Sequence, residues 1–250
     1  MILKPDSTLV HTLYPSPNIE DRCSGWRADM IVLHYTGMSS AEKAIDWLAN
    51  PASKVSCHYV IDEEGRITQM VEESKRAWHA GASHWAGDTD INSASIGIEI
   101  QNPGHEHGYP QFPPAQMEAV AALCRDIVRR IGVPAKRILA HSDIAPGRKI
   151  DPGEKFDWGW LAQHGVGHWV QPSPPDDHLD GDEAAVDEAR ALMRAYGYRV
   201  ESAERADWFS VLMRSFQMHF RPERPDGRLD AGTLDTLRRL VAALPDRAVS

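Results

Sequence analysis

The spacing of apolar and polar residues changes several times along the chain, and each change marks an element. Residues 29–34, DMIVLH, form an apolar run ending on a polar residue, as a buried strand does when it delivers a side chain to a sheet edge. Gly37 breaks the run. Ser39 and Glu42 then stand at capping-box spacing, and Ala41, Ala44, Ile45, Trp47 and Leu48 recur at helical intervals until Asn50-Pro51, which predicts a first helix. Residues 57–71, CHYVIDEEGRITQMV, read as a hairpin whose Glu-Gly turn supplies a residue tolerant of positive φ. In SIGIEI, residues 95–100, the alternation puts Ile96, Ile98 and Ile100 on one face and turns Gly97 and Glu99 to the other.

Pro113 and Pro114 introduce a long helix with an apolar stripe of Met117, Val120, Ala121, Cys124, Ile127, Val128 and Ile131, closed by Gly132. RILAH, residues 137–141, reads as another strand ending on a histidine. Strands alternating with amphipathic helices predict an α/β fold, a mixed central β-sheet flanked by helices. After Val170 the periodicity stops in QPSPPDDHLDG, a proline-rich acidic stretch with linker character. Three helical stretches follow, near residues 182–198, 203–220 and 231–244, separated by Gly197, Pro222, Pro225 and Asp226-Gly227. The expected division is a catalytic domain over 1–170, a linker over 171–181 and a small three-helix domain over 182–250.

Composition narrows the partners. The formal net charge of −9 lacks the excess of Lys and Arg that a diffuse nucleic-acid or anionic-membrane footprint needs. No stretch approaches the roughly twenty apolar residues of a membrane span, and the N-terminus has neither the basic start nor the apolar run of a signal peptide. As written, the chain is expected in the cytoplasm; removal of a leader would instead place it in the periplasm or envelope. Cys23, Cys57 and Cys124 are odd in number and widely spaced, which suggests buried thiols rather than a disulfide framework. Nothing in the sequence sets the oligomeric state.

The candidate chemistry lies at the strand ends. A hydrolytic zinc site needs three N or O ligands and an open position for water. His34 and His141 each end a predicted strand, and Asp151 follows His141 by ten residues in HSDIAPGRKIDPG, where Pro146, Gly147, Pro152 and Gly153 make the loop double back. His58 and His79 sit in strand-like segments, where a structural hydrogen bond is the expected role. His105 and His107 flank glycines in an expected surface loop.

VLHYTG, SCHYVIDEEGRI, AWHAG, SIGIEIQN and AHSDIAPGRKIDPG occur in that order, and over residues 15–170 the chain resembles the N-acetylmuramoyl-L-alanine amidase type 2 family. The resemblance implies the peptidoglycan-recognition-protein fold and zinc-dependent hydrolysis of the amide between N-acetylmuramic acid, or its anhydro form, and L-alanine. The substrate would be peptidoglycan or a muropeptide, met in cell-wall turnover and recycling. It implies His34, His141 and Asp151 as zinc ligands, Glu99 as the base and Lys149 as the cation beside the developing oxyanion. Tyr35, next to a ligand, and Asn92, before SIGIEI, are candidates for the substrate groove; Trp78 and His79 of AWHAG are expected in the site wall or the scaffold.

FQMHFRPERPDGRLDAGTLDTLRRL, from Phe216, resembles the small helical peptidoglycan-binding domain. Two rival functions have discriminating features. A non-catalytic receptor on the same fold typically lacks part of the ligand set, which is complete here. A zinc peptidase of the HExxH type would carry its ligands on a helix, and that motif is absent.

Overall fold

The computed structural model describes residues 3–179, 181–201 and 205–245. In chain order its elements are β1 (Thr12–Leu13), β2 (Ile19–Asp21), β3 (Met30–Tyr35), α1 (Ala41–Leu48), β4 (Tyr59–Ile61), β5 (Ile67–Gln69), β6 (Lys75–Ala77), α2 (Ile91–Ala94) and β7 (Ser95–Ile100). They continue with α3 (Pro114–Ile131), β8 (Ile138–Ala140), α4 (His141–Ile144), α5 (Trp158–Gln163), α6 (Glu183–Tyr196), α7 (Trp208–Phe220) and α8 (Ala231–Ala242).

Six strands form one sheet in the order β1-β5-β4-β7-β3-β8, and β2 pairs with β6 in a separate antiparallel ribbon. The β4-β7, β7-β3 and β3-β8 pairs are parallel, and β4-β5 is the antiparallel hairpin expected from the sequence. The fold is therefore a mixed sheet flanked by helices. Gly65 closes the hairpin turn at φ +79°, a conformation that favours glycine.

The pleat of β3 and β7 sorts two cores. Ile31, Leu33, Ile96, Ile98 and Ile100 face α3, packing with Val120, Ala121, Cys124 and Ile127. On the opposite face Met30, Val32 and Leu139 meet Trp85, Ile91 and Ile144 together with Ala189, Met193, Leu212, Phe216 and Leu237 of the three C-terminal helices. The same hydrophobic cluster thus runs from the sheet into α6, α7 and α8. The preceding proline-rich segment lies along α8, with the Ser173 N–H donating to Thr236 Oγ1 at 3.0 Å.

Several boundaries differ from the sequence reading. Ser40, not Ser39, caps α1, its hydroxyl accepting from the Lys43 N–H, because Ala41 is the first helical residue. His141 begins α4 rather than ending β8. Helix α7 starts at Trp208; the start expected at Ala203 lies outside the described residues. Cys57 and Cys124 are buried, but Cys23 is exposed, with its thiol donating to Asp90 Oδ2 at 3.1 Å.

Candidate active site

Parallel strands bring their C-terminal ends to one edge, and the site forms there. His34 is registered opposite Glu99 across the β3-β7 pair, so the two side chains leave the same face of the sheet. His141 follows β8, the neighbour of β3 on its other side, and Asp151 returns on the loop after α4. The Ser142 N–H donates to the Asp151 carbonyl at 3.0 Å, which holds that loop against the start of α4. His34 Nδ1 lies 2.8 Å from His141 Nδ1, and each is 3.0 Å from Asp151 Oδ2. All three residues are buried, and among the described residues no other group of His, Cys, Asp and Glu converges in this way.

The donor chemistry fits a cation. His141 Nε2 donates to the Ala80 carbonyl at 3.1 Å, so a neutral His141 ring has its lone pair on Nδ1. Burial, with repulsion from His141, pulls the His34 ring down to about 4 against the attraction of Asp151. Burial would raise the Asp151 carboxyl, but His141 and His34 outweigh it and hold the group below the usual carboxylate range. Neutral imidazoles and an ionised carboxylate are the protonation states that bind zinc.

These groups open into a cavity of about 510 Å³ lined by His34, Tyr35, Trp78, His79, Glu99, His105, His141, Lys149 and Asp151, among others. Burial pushes the Glu99 carboxyl well above its ordinary range; Asp151 adds repulsion, and Lys149 partly offsets both. Glu99 Oε2 is buried with no hydrogen-bond partner among the described residues. A buried carboxylate oxygen free to take a proton is what a general base requires.

Tyr35 is on the cavity wall, its hydroxyl 3.1 Å from His105 Nδ1. Burial, followed by the charge of Asp151, pushes its phenol up to about 12. Asn92, expected in the groove, lies behind the wall. Its Oδ1 accepts from the backbone N–H groups of His79 at 3.0 Å and Ala80 at 2.8 Å, so it holds the AWHAG segment in place. His105, expected to face solvent, stacks on Tyr109 at 4.0 Å and reaches Glu154 at 3.1 Å. His79 is a cavity residue that spacing did not single out. The available signal was Gly97: a glycine inside a strand often marks a close approach, and a Cβ there would stand 2.4 Å from His79 Cγ.

The family model for N-acetylmuramoyl-L-alanine amidase matches residues 24–154. The chain is 38% identical to the N-acetylmuramoyl-L-alanine amidase AmiD of Escherichia coli (strain K12) over 224 residues, covering 83% of this chain and 80% of AmiD. The E. coli AmiD structure with the substrate anhydro-N-acetylmuramic acid-L-Ala-D-gamma-Glu-L-Lys superposes with a TM-score of 0.76 at 32% identity, covering 89% of this chain and 92% of AmiD. AmpDh3 of Pseudomonas aeruginosa in complex with anhydromuramic pentapeptide gives a TM-score of 0.72 at 33% identity, covering 88% and 93%. Likeness at this level, over both the catalytic motifs and the helical C-terminus, means that the chain belongs to the N-acetylmuramoyl-L-alanine amidase family.

Proposed function

We propose that this protein hydrolyses the amide between N-acetylmuramic acid, or its anhydro form, and the L-alanine of the stem peptide, with His34, His141 and Asp151 holding zinc. The observation that carries the reading is the convergence of these three donors beside Glu99 in one open cavity. Zinc, when bound, supplies a Lewis acid that makes water a better nucleophile and polarises a carbonyl. Glu99 takes the proton of the attacking water at its unpartnered Oε2 and passes it to the leaving alanine nitrogen. Lys149, exposed on the cavity rim, offers its ammonium to the carbonyl oxygen as negative charge develops there. Tyr35 presents its hydroxyl on the cavity wall to orient the substrate, and Asn92 acts on the site through the backbone that it holds.

The anhydromuramoyl peptides named in the AmiD and AmpDh3 complexes support a muropeptide substrate, in keeping with cell-wall turnover and peptidoglycan recycling. Among the described residues no helix is long and apolar enough to cross a membrane. A cytoplasmic enzyme would meet small recycled muropeptides, and an envelope enzyme would meet the polymer; cell fractionation distinguishes the two. The division into 1–170, 171–181 and 182–250 is retained as a proposal, with the C-terminal helices binding peptidoglycan, and cosedimentation of the full chain with sacculi tests that part.

Mass spectrometry of a soluble muropeptide digest tests the reaction. The products are an intact sugar and a peptide with L-alanine at its amino terminus. Cleavage inside the stem peptide overturns the assignment.

A further inference from the structure

His79 is a buried cavity histidine with no part in the chemistry above. Its ring stands edge-on to that of His34, with centroids 5.1 Å apart and planes at 82°. Its Nδ1 is 3.0 Å from His34 Nε2, and its Nε2 is 3.2 Å from Ser95 Oγ. Ser95 has one proton, and its hydroxyl donates it to the Ile91 carbonyl at 2.6 Å. Toward His79, then, Oγ can only accept, and the proton of the pair sits on His79 Nε2.

With that proton on Nε2, the neutral ring has its lone pair on Nδ1. That lone pair accepts from the His34 Nε2–H. His34 is left with an unprotonated Nδ1, which faces His141 Nδ1 at 2.8 Å and Asp151 Oδ2 at 3.0 Å. A one-way relay from His34 through His79 and Ser95 to the Ile91 carbonyl thereby selects one tautomer of His34.

The relay is built into the scaffold. Asn92 Oδ1 holds the His79 and Ala80 N–H groups, and the ring is seated on Gly97 of β7, where any side chain would collide with it. Gly97 is not among the positive-φ glycines, so the absence of a Cβ, rather than backbone freedom, is what the position uses.

We propose that His79 is the positioning residue of the zinc site, fixing His34 in the tautomer and orientation that presents Nδ1 to the metal. The inference rests on His34 being a zinc ligand. Outer-shell partners of metal-bound histidines typically contribute about ten- to hundredfold in metal affinity.

Zinc titration of the zinc-stripped full chain against a fluorescent chelator tests it. His79→Leu keeps bulk but removes the acceptor, and zinc binding should weaken by about ten- to hundredfold. His79→Asn places Oδ1 where Nδ1 stood and should stay near wild type. Wild-type affinity in His79→Leu, or an equal loss in both variants, overturns the proposal. If His79→Leu does not fold by circular dichroism, the long-range ¹H–¹⁵N spectrum of the zinc-free wild-type chain decides. A protonated Nε2 and bare Nδ1 on His34 support the relay, and the reverse tautomer overturns it. Wild-type zinc binding by His34→Ala would remove the ligand assignment itself, a result separable from failure at His79 alone.

Discussion

His219 Nδ1 on α7 lies 2.6 Å from Asp143 Oδ2 on α4, with both side chains buried. Asp143 also accepts from the Ala140 N–H at 2.8 Å and from the Tyr198 hydroxyl at 2.6 Å, two residues along from the candidate ligand His141. The C-terminal helices therefore brace the short helix that carries half of the histidine pair. Asp143→Ala strands three donors in the interior and should cost about 3 kcal/mol or more of stability in urea denaturation. Tyr198→Phe removes one of these bonds and should cost about 1–2 kcal/mol.

Truncation at residue 170 tests the domain division from the same direction. It would remove the α6, α7 and α8 side of the cluster that contains Met30, Val32 and Leu139 of the sheet and Ile144 of α4, and strip Asp143 of its partners His219 and Tyr198. The shortened chain should melt lower and bind hydrophobic dye or aggregate. A fully active, equally stable fragment would show that the C-terminal helices are a dispensable appendage.

In the site, Glu99→Gln should keep zinc, since it leaves His34, His141 and Asp151 in place, while kcat falls by about 10²–10⁴-fold. Lys149→Met should lower kcat by about 10²–10³-fold with little change in KM, because the ammonium acts on charge that exists only in the transition state. Zinc content by atomic emission together with steady-state kinetics separates these effects from loss of metal, which is the outcome expected for His34→Ala and Asp151→Asn.

Glu99 also gives a pH signature. Its folded pKa is raised above the unfolded value by burial, with Asp151 adding repulsion, so between the two values the folded state holds more protons than the unfolded one. For zinc-free protein this contribution is complete below the unfolded pKa of about 4.3 and is lost as pH rises through the raised folded pKa. Glu99→Gln removes it, so the zinc-free variant should gain stability over wild type progressively from acid toward neutral pH. Zinc, as a cation, should shrink the difference. Parallel thermal melts across pH, with and without zinc, read this out; a pH-independent difference counts against a raised Glu99 pKa.

Gly97→Ala adds one methyl group where only 2.4 Å separates the new Cβ from His79 Cγ. The ring must move, and the expected result is about 1–3 kcal/mol of destabilisation by overpacking together with weaker zinc binding. Calorimetry and zinc titration of the same preparation check both. A Gly97→Ala chain with unchanged affinity would mean that the ring shifts without disturbing His34.

Local pattern determined much of this. The apolar run ending at His34, the alternation of SIGIEI and the stripe of α3 follow from strand and helix periodicity, which is written residue by residue and needs no distant partner. The same pattern put Glu99 on the face opposite the isoleucines, where β7 carries it. The family resemblance supplied the roles proposed for Glu99 and Lys149. Tertiary structure decided what depended on meetings between distant segments. The His34–His141 approach spans 107 residues, and no periodicity encodes the strand order that produces it. Asn92 turned out to grip backbone behind the wall, and His105 to stack within it, because hydrogen bonds and ring contacts depend on which chains pass nearby. A proline-rich stretch looks alike in sequence whether it swings free or lies along a helix. Only packing showed that α6, α7 and α8 share the sheet's hydrophobic cluster and that Asp143, in the motif of the candidate ligand His141, is their anchor.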